Sequence, residues 1–74
     1  MGSIRWTPAR MEQLEHATRT GRRVVLVRRG TEYVVVARRL VHHGRSDTLV
    51  GFLPMTGDEL RFALDDLDDF QVLP

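Results

Sequence analysis

The chain has 74 residues, 42% of them hydrophobic, and a net charge of +1. That length holds one domain at most, and a chain so short buries only roughly 60% of its unfolded surface. It has no cysteine, which excludes a disulfide framework and a thiolate metal site. No apolar run approaches the roughly 18 residues of a membrane span. No signal peptide opens the sequence, so a soluble cytoplasmic protein with no membrane partner is expected. Met1-Gly2-Ser3 looks like a cloning remnant. Residues 1–6 are therefore read as a tail and residues 7–74 as a single domain.

Every basic residue is arginine, and the charge is segregated. From Arg19 to Arg45 there are eight arginines against Glu32, a local +7. From Asp58 to Asp69 there are six acids against Arg61, a local −5. The two parts of the chain carry opposite fields.

A helix is expected first. Thr7 is a good N-cap, and Pro8 stands at the first helical position, where its missing N–H costs nothing. Trp6 and Met11 have the spacing of a hydrophobic staple. Met11, Leu14, Ala17 and Thr18 make one narrow apolar stripe. Glu15 and Arg19 form an i,i+4 pair in the favourable order. Gly21 suits a left-handed helix end.

Period-2 patterns follow. Arg22–Arg29 and Glu32–Leu40 are expected to form a hairpin around Arg29-Gly30-Thr31. Val24-Val25-Leu26-Val27 and Val34-Val35-Val36-Ala37 are apolar on both faces, so each strand must cover two surfaces. One lines the interior; the other is expected to meet the N-terminal helix or a neighbouring subunit. Val41–Asp47 reads as a polar loop, Thr48–Leu53 as a third strand, and Thr56-Gly57-Asp58 as a turn. Glu59–Leu64 alternates, with Leu60, Phe62 and Leu64 inward. Asp65–Asp68 reads as one helical turn and Asp69–Leu73 as a closing strand. The expected fold is mainly β with one N-terminal helix: a five-stranded Sm-like small barrel, closed so that no edge is exposed.

Leu14-Glu15-His16-Ala17 through Arg22-Arg23-Val24-Val25-Leu26, the strand Asp47-Thr48-Leu49-Val50-Gly51-Phe52, and the closing Leu60-Arg61-Phe62-Ala63-Leu64-Asp65-Asp66-Leu67 together resemble the WYL domain. That resemblance, over residues 11–73, implies an Sm-like core and a sensor role in bacterial transcription regulation, with nucleic acid or a nucleotide as ligand. Of the tryptophan-tyrosine-leucine triplet only Leu49 remains. Ala63 and Asp66 stand where the family's closing pattern has arginines. The likeness therefore bears on the fold more than on the ligand site.

Among candidate functional residues, the arginine hairpin is foremost. Arg22, Arg23, Arg28, Arg29, Arg38, Arg39 and Arg45 could neutralise phosphates or make bidentate contacts. Six of them come as adjacent pairs, and neighbours on an ideal strand face opposite ways. A solvated rim is the plainer reading, and only Tyr33 is at hand for base stacking. Asp65, Asp66, Asp68 and Asp69 offer an acidic interaction face for a protein partner or a second copy. Without the glycine and carbonyl donors of a calcium loop they are not read as a metal site. His42-His43 carry no further ligand with them, and a pH-sensitive loop is the most they suggest. With no cofactor motif and no nucleophile beside a base, an enzyme is the least expected class. Two readings stay open: a regulatory nucleic-acid or nucleotide-binding module, and a protein-interaction or self-assembly module.

Overall fold

The computed structural model describes residues 4–74; Met1-Gly2-Ser3 lies outside them. Helix α1 (Pro8–Thr20) leads into strands β1 (Arg23–Arg28), β2 (Thr31–His43) and β3 (Ser46–Phe52). Strand β4 (Glu59–Ala63) and a 3-10 turn (Leu64–Asp66) follow, and β5 (Leu67–Val72) ends the sheet. All five strands are antiparallel neighbours in the order β4-β3-β2-β1-β5.

The helix begins and ends as its capping residues dictate. Thr7 is extended, and its hydroxyl accepts a hydrogen bond from the Arg10 N–H at 3.2 Å. Gly21 adopts φ 65° and returns its N–H to the Ala17 carbonyl, a conformation that glycine reaches without a Cβ clash. Leu14 and Ala17 are fully buried and Met11 and Thr18 half-buried, so the stripe is narrow as expected. Glu15 and Arg19 do not meet as an ion pair. The Glu15 carbonyl instead accepts from the Thr18 hydroxyl at 2.6 Å. Trp6 stacks on Phe70, with ring centroids 5.3 Å apart and planes 12° apart, and its indole N–H donates to the Leu64 carbonyl at 3.3 Å. The residue expected to staple the helix start thus ties it to β5.

The curvature of the sheet follows from β2. Thirteen residues laid straight would run about 40 Å at about 3.3 Å per residue, whereas the longest dimension of the molecule is 30 Å. The strand must bend, and it does so where the register with β3 slips between Ala37 and Arg39. One extra residue on one strand increases local bend and twist. The first half of β2 pairs with β1 and the second with β3, both meeting at Val36. The concave side holds a single core of Leu14, Ala17, Val24, Leu26, Val35, Ala37, Leu49, Phe62, Leu64 and Leu67. The helix rests on it, chiefly over β2.

Several boundaries differ from the sequence reading. Val41–Asp47 is not a loop: β2 and β3 continue as a ladder through His43↔Ser46, around a turn at Gly44-Arg45. The backbone pairs regardless of side-chain polarity where both faces are wet. The helical turn is a 3-10 turn starting at Leu64, and β5 begins at Leu67, whose burial anchors it. Strands β4 and β5 stand at opposite edges of the order and share no ladder among the described residues. The sheet is therefore curved and five-stranded without hydrogen-bonded closure.

Candidate functional site

Ladder partners share a face, and so do residues two apart on a strand. These rules define the outward side of the sheet. Arg39, Val50 and Arg61 form one row across β2, β3 and β4. Arg23, Val36, Phe52 and Glu59 form the next, across four strands. Val34, Val25 and Gln71 follow, then Glu32, Val27 and Asp69. The face thus runs from an arginine pole through an apolar centre to an acidic pole.

The bulge concentrates the arginines. On a regular strand Arg38 and Arg39 would point to opposite sides. With the extra residue between Ala37 and Arg39, Arg39 pairs outward with Val50 while the Arg38 guanidinium lies 5.3 Å from the outward Phe52 ring. Both are exposed. Here the expectation that adjacent arginines part company is corrected. Val50 is only 1% exposed yet lies outside the core cluster. It sits between Arg39 and Arg61, and long arginine stems cover apolar neighbours in this way. Arg61 also reaches Glu59 at 3.5 Å.

The apolar centre extends past the end of β3. Arg23, Val34, Leu53, Pro54, Met55 and Thr56 line a groove of about 490 Å³. Val34 is 43% exposed and Met55 97%. The helix packs on the concave core and leaves this side open. The second apolar surface of the valine-rich strands is therefore not covered by the helix.

The other predicted residues are dispersed. Arg22 turns to the chain end, its guanidinium 3.5 Å from the Leu73 carbonyl. Arg45 is exposed at the β2–β3 turn. Arg28 points to the concave side, over the rings of Tyr33 (5.1 Å) and Phe62 (4.9 Å), and donates to the Tyr33 hydroxyl at 3.3 Å. Arg29 sits in the β1–β2 turn with φ 52°, and its N–H donates to Asp68 Oδ2 at 3.0 Å. Asp69 accepts from the Phe70 N–H. Asp68 and Asp69 thus serve backbone geometry, while Asp65 is exposed and Asp66 half-buried. His42 and Asp47 pair across the ladder at 2.7 Å. Among the described residues no group of three or more His, Asp or Glu side chains could hold a metal ion, and no helix is long and apolar enough to cross a membrane.

Sequence reasoning missed Phe52, Met55 and the place of Arg61 on the arginine face. An apolar Met55 between Pro54 and Gly57, in what had to be a turn, was the available signal. No family model, curated protein or solved structure matches the chain.

Proposed function

We propose that this chain is a non-enzymatic binding module, Sm-like in chain path, that docks a polypeptide on its outward sheet face, a second copy of itself being the best-fitting partner. One helix followed by five antiparallel strands, with a 3-10 turn before the last, supports the Sm-like reading. The observation that carries the function is the charge order of that face. Arg23, Arg38, Arg39 and Arg61 outweigh the single acid Glu59, which pairs with Arg61, at one pole, and Glu32 and Asp69 stand at the other, with Val25, Val34, Val36 and Phe52 between. An apolar centre with a polar rim, rich in Arg, Met and aromatic side chains, is the anatomy of a protein interface. Two copies stacked face to face, about a two-fold axis lying in the interface at right angles to the line between the poles, would set each arginine pole on the partner's acidic pole.

Sedimentation of the protein at low and moderate salt tests this. A dimer is expected that Val34→Glu and Met55→Glu each turn into a monomer without loss of fold. A monomer at every concentration and salt level would remove self-association. A second reading, nucleic acid at the arginine pole, is favoured by the convergence of Arg38 and Arg39 with Arg23 and Arg61. A monomer that binds a single-stranded oligonucleotide with a steep salt slope would establish that reading instead.

A further inference from the structure

The groove past the end of β3 holds its most reactive side chain in the open. Met55 is 97% exposed and shares the groove with Arg23, Val34, Leu53, Pro54 and Thr56. The segment that carries it is an ordered turn. The Leu53 N–H donates to the Asp58 carbonyl at 2.9 Å, and the Gly57 N–H to the Leu53 carbonyl at 2.7 Å. Inside that closure the Asp58 N–H donates to the Thr56 hydroxyl at 3.2 Å. The turn thus keeps a thioether in water, where it adds nothing to the core of the single chain.

A thioether in water is also the group of this chain most open to a two-electron oxidant. The chain has no cysteine, so no thiol competes for it. Met11 is half-buried and packs on the core. With a hydroperoxide the reaction balances simply. The sulfur lone pair attacks one peroxide oxygen, the S–O bond forms as the O–O bond breaks, and the sulfur gives up two electrons. The other oxygen takes the proton of the transferred one and leaves as water. The product is a sulfoxide, in which a flexible apolar side chain has become polar and chiral, a change that disrupts interfaces built on methionine. A sulfoxide oxygen carried into the docked face either goes unpaired or takes up the Arg23 guanidinium, which then no longer serves the partner's acidic pole. Both outcomes weaken the contact.

We propose that Met55 is an oxidation switch on the outward face. Its thioether is an apolar anchor when two copies meet, and its sulfoxide, formed by a hydroperoxide on the free chain, keeps them apart. The switch rests on the docking reading of that face. The same burial acts in the other direction: a paired copy shields the sulfur, so oxidation slows as chains pair. Thiol-dependent sulfoxide reductases reverse the modification.

The experiment treats the chain with hydrogen peroxide over a range of chain concentrations. Mass spectrometry reads oxygen uptake and sedimentation reads association. Cleavage after arginine separates Met55, in residues 46–61, from Met11, in residues 11–19. Met55 is expected to react first, and more slowly as concentration brings the chain into dimers. Each sulfoxide adds one polar group to the contact and should weaken association about tenfold, so two oxidised copies should pair about a hundredfold more weakly than the parent. Sulfoxide reductases for both epimers, supplied with a dithiol, should restore it. Peroxide should leave the association of Met55→Leu at whatever strength that variant begins with, while Met11→Leu should respond as the parent does. The switch is overturned if chains carrying Met55 sulfoxide pair as strongly as the parent, if Met11 reacts as fast as Met55, if pairing leaves the Met55 rate unchanged, or if peroxide dissociates Met55→Leu. A parent that is monomeric before any peroxide is added removes the docking reading itself, and the switch with it, so the two failures are told apart.

Discussion

Gly51 shows how tightly single positions are constrained. It pairs with Ala37 beside the bulge and is buried. A Cβ there would meet Val35 Cγ2 and the Val36 carbonyl oxygen, each at 3.0 Å. The oxygen belongs to the backbone of the central strand and cannot swing aside. Gly51→Ala should therefore destabilise by about 1–3 kcal/mol, the usual cost of overpacking. For a chain this short each kcal/mol lowers the melting temperature by about 4–8 °C, which a thermal melt would register. An unchanged melt would mean that the sheet has slack at the bulge. Trp6 offers a complementary test. Trp6→Phe keeps an aromatic ring against Phe70 and loses the bond to the Leu64 carbonyl, so it should cost about 0.5–1.5 kcal/mol. Trp6→Ala loses both, and a half-buried site places it near the lower end of the about 3–5 kcal/mol typical of buried tryptophan truncations. The caps Thr7 and Gly21 were legible in the sequence because capping is local chemistry. The partner of Trp6 was not, because Phe70 stands near the other end of the chain and only the strand order brings β5 to the helix start.

At the scale of elements, the bulge in β2 decides which surface exists. The inward residues Ala37 and Leu40 pair with Gly51 and Leu49, which are two apart. Ala37 and Leu40 are three apart, so one residue is extra. Deleting Arg38 would restore regular alternation while keeping Ala37 and Leu40 inward. The variant is expected to fold with its core intact, to lose the guanidinium over Phe52, and to flatten β2. Circular dichroism and a melt within a few degrees of the parent would agree with this assignment. An unfolded product would mean that the bend itself, rather than the inward pattern, is indispensable. The two-sided apolar runs were enough to indicate buried strands with a second face in need of cover, because a strand wet on one side alternates. The slip could not be read from Ala37-Arg38-Arg39-Leu40, because an extra residue leaves a strand sequence looking like two shorter patterns out of phase. The His42-His43 segment failed for a different reason. Polar side chains at a wet hairpin end carry no inward–outward contrast, and its strand is set by cross-strand bonds and the His42–Asp47 pair.

For the molecule as a whole, the small net charge matters less than its layout. The Cα radius of gyration is 11.2 Å, close to the about 11 Å expected of a compact chain of this length. Charges at the two poles of the outward face therefore lie within a few Debye lengths of each other at physiological salt, about 8 Å. The copy of this face that approaches from solution meets a patterned field, not a uniform one. Reversing one pole tests the pattern directly. Arg38→Glu with Arg39→Glu should abolish self-association, because each substituted pole then faces the partner's acidic pole. The same should hold for Glu32→Arg with Asp69→Arg, whose arginines would face arginines. Mixed together, the two variants should pair with each other. The substituted pole of each then meets opposite charge on its partner, and so does the pole left unchanged. The chain carrying all four reversals should associate with itself again, with the salt sensitivity of the parent, because its poles have only exchanged places. Sedimentation of the three variants and the mixture checks this. Recovery in the mixture and in the chain with four reversals would tie assembly to charge order. Association of either double variant with itself at parental strength would show that the apolar centre, and not the poles, sets the register.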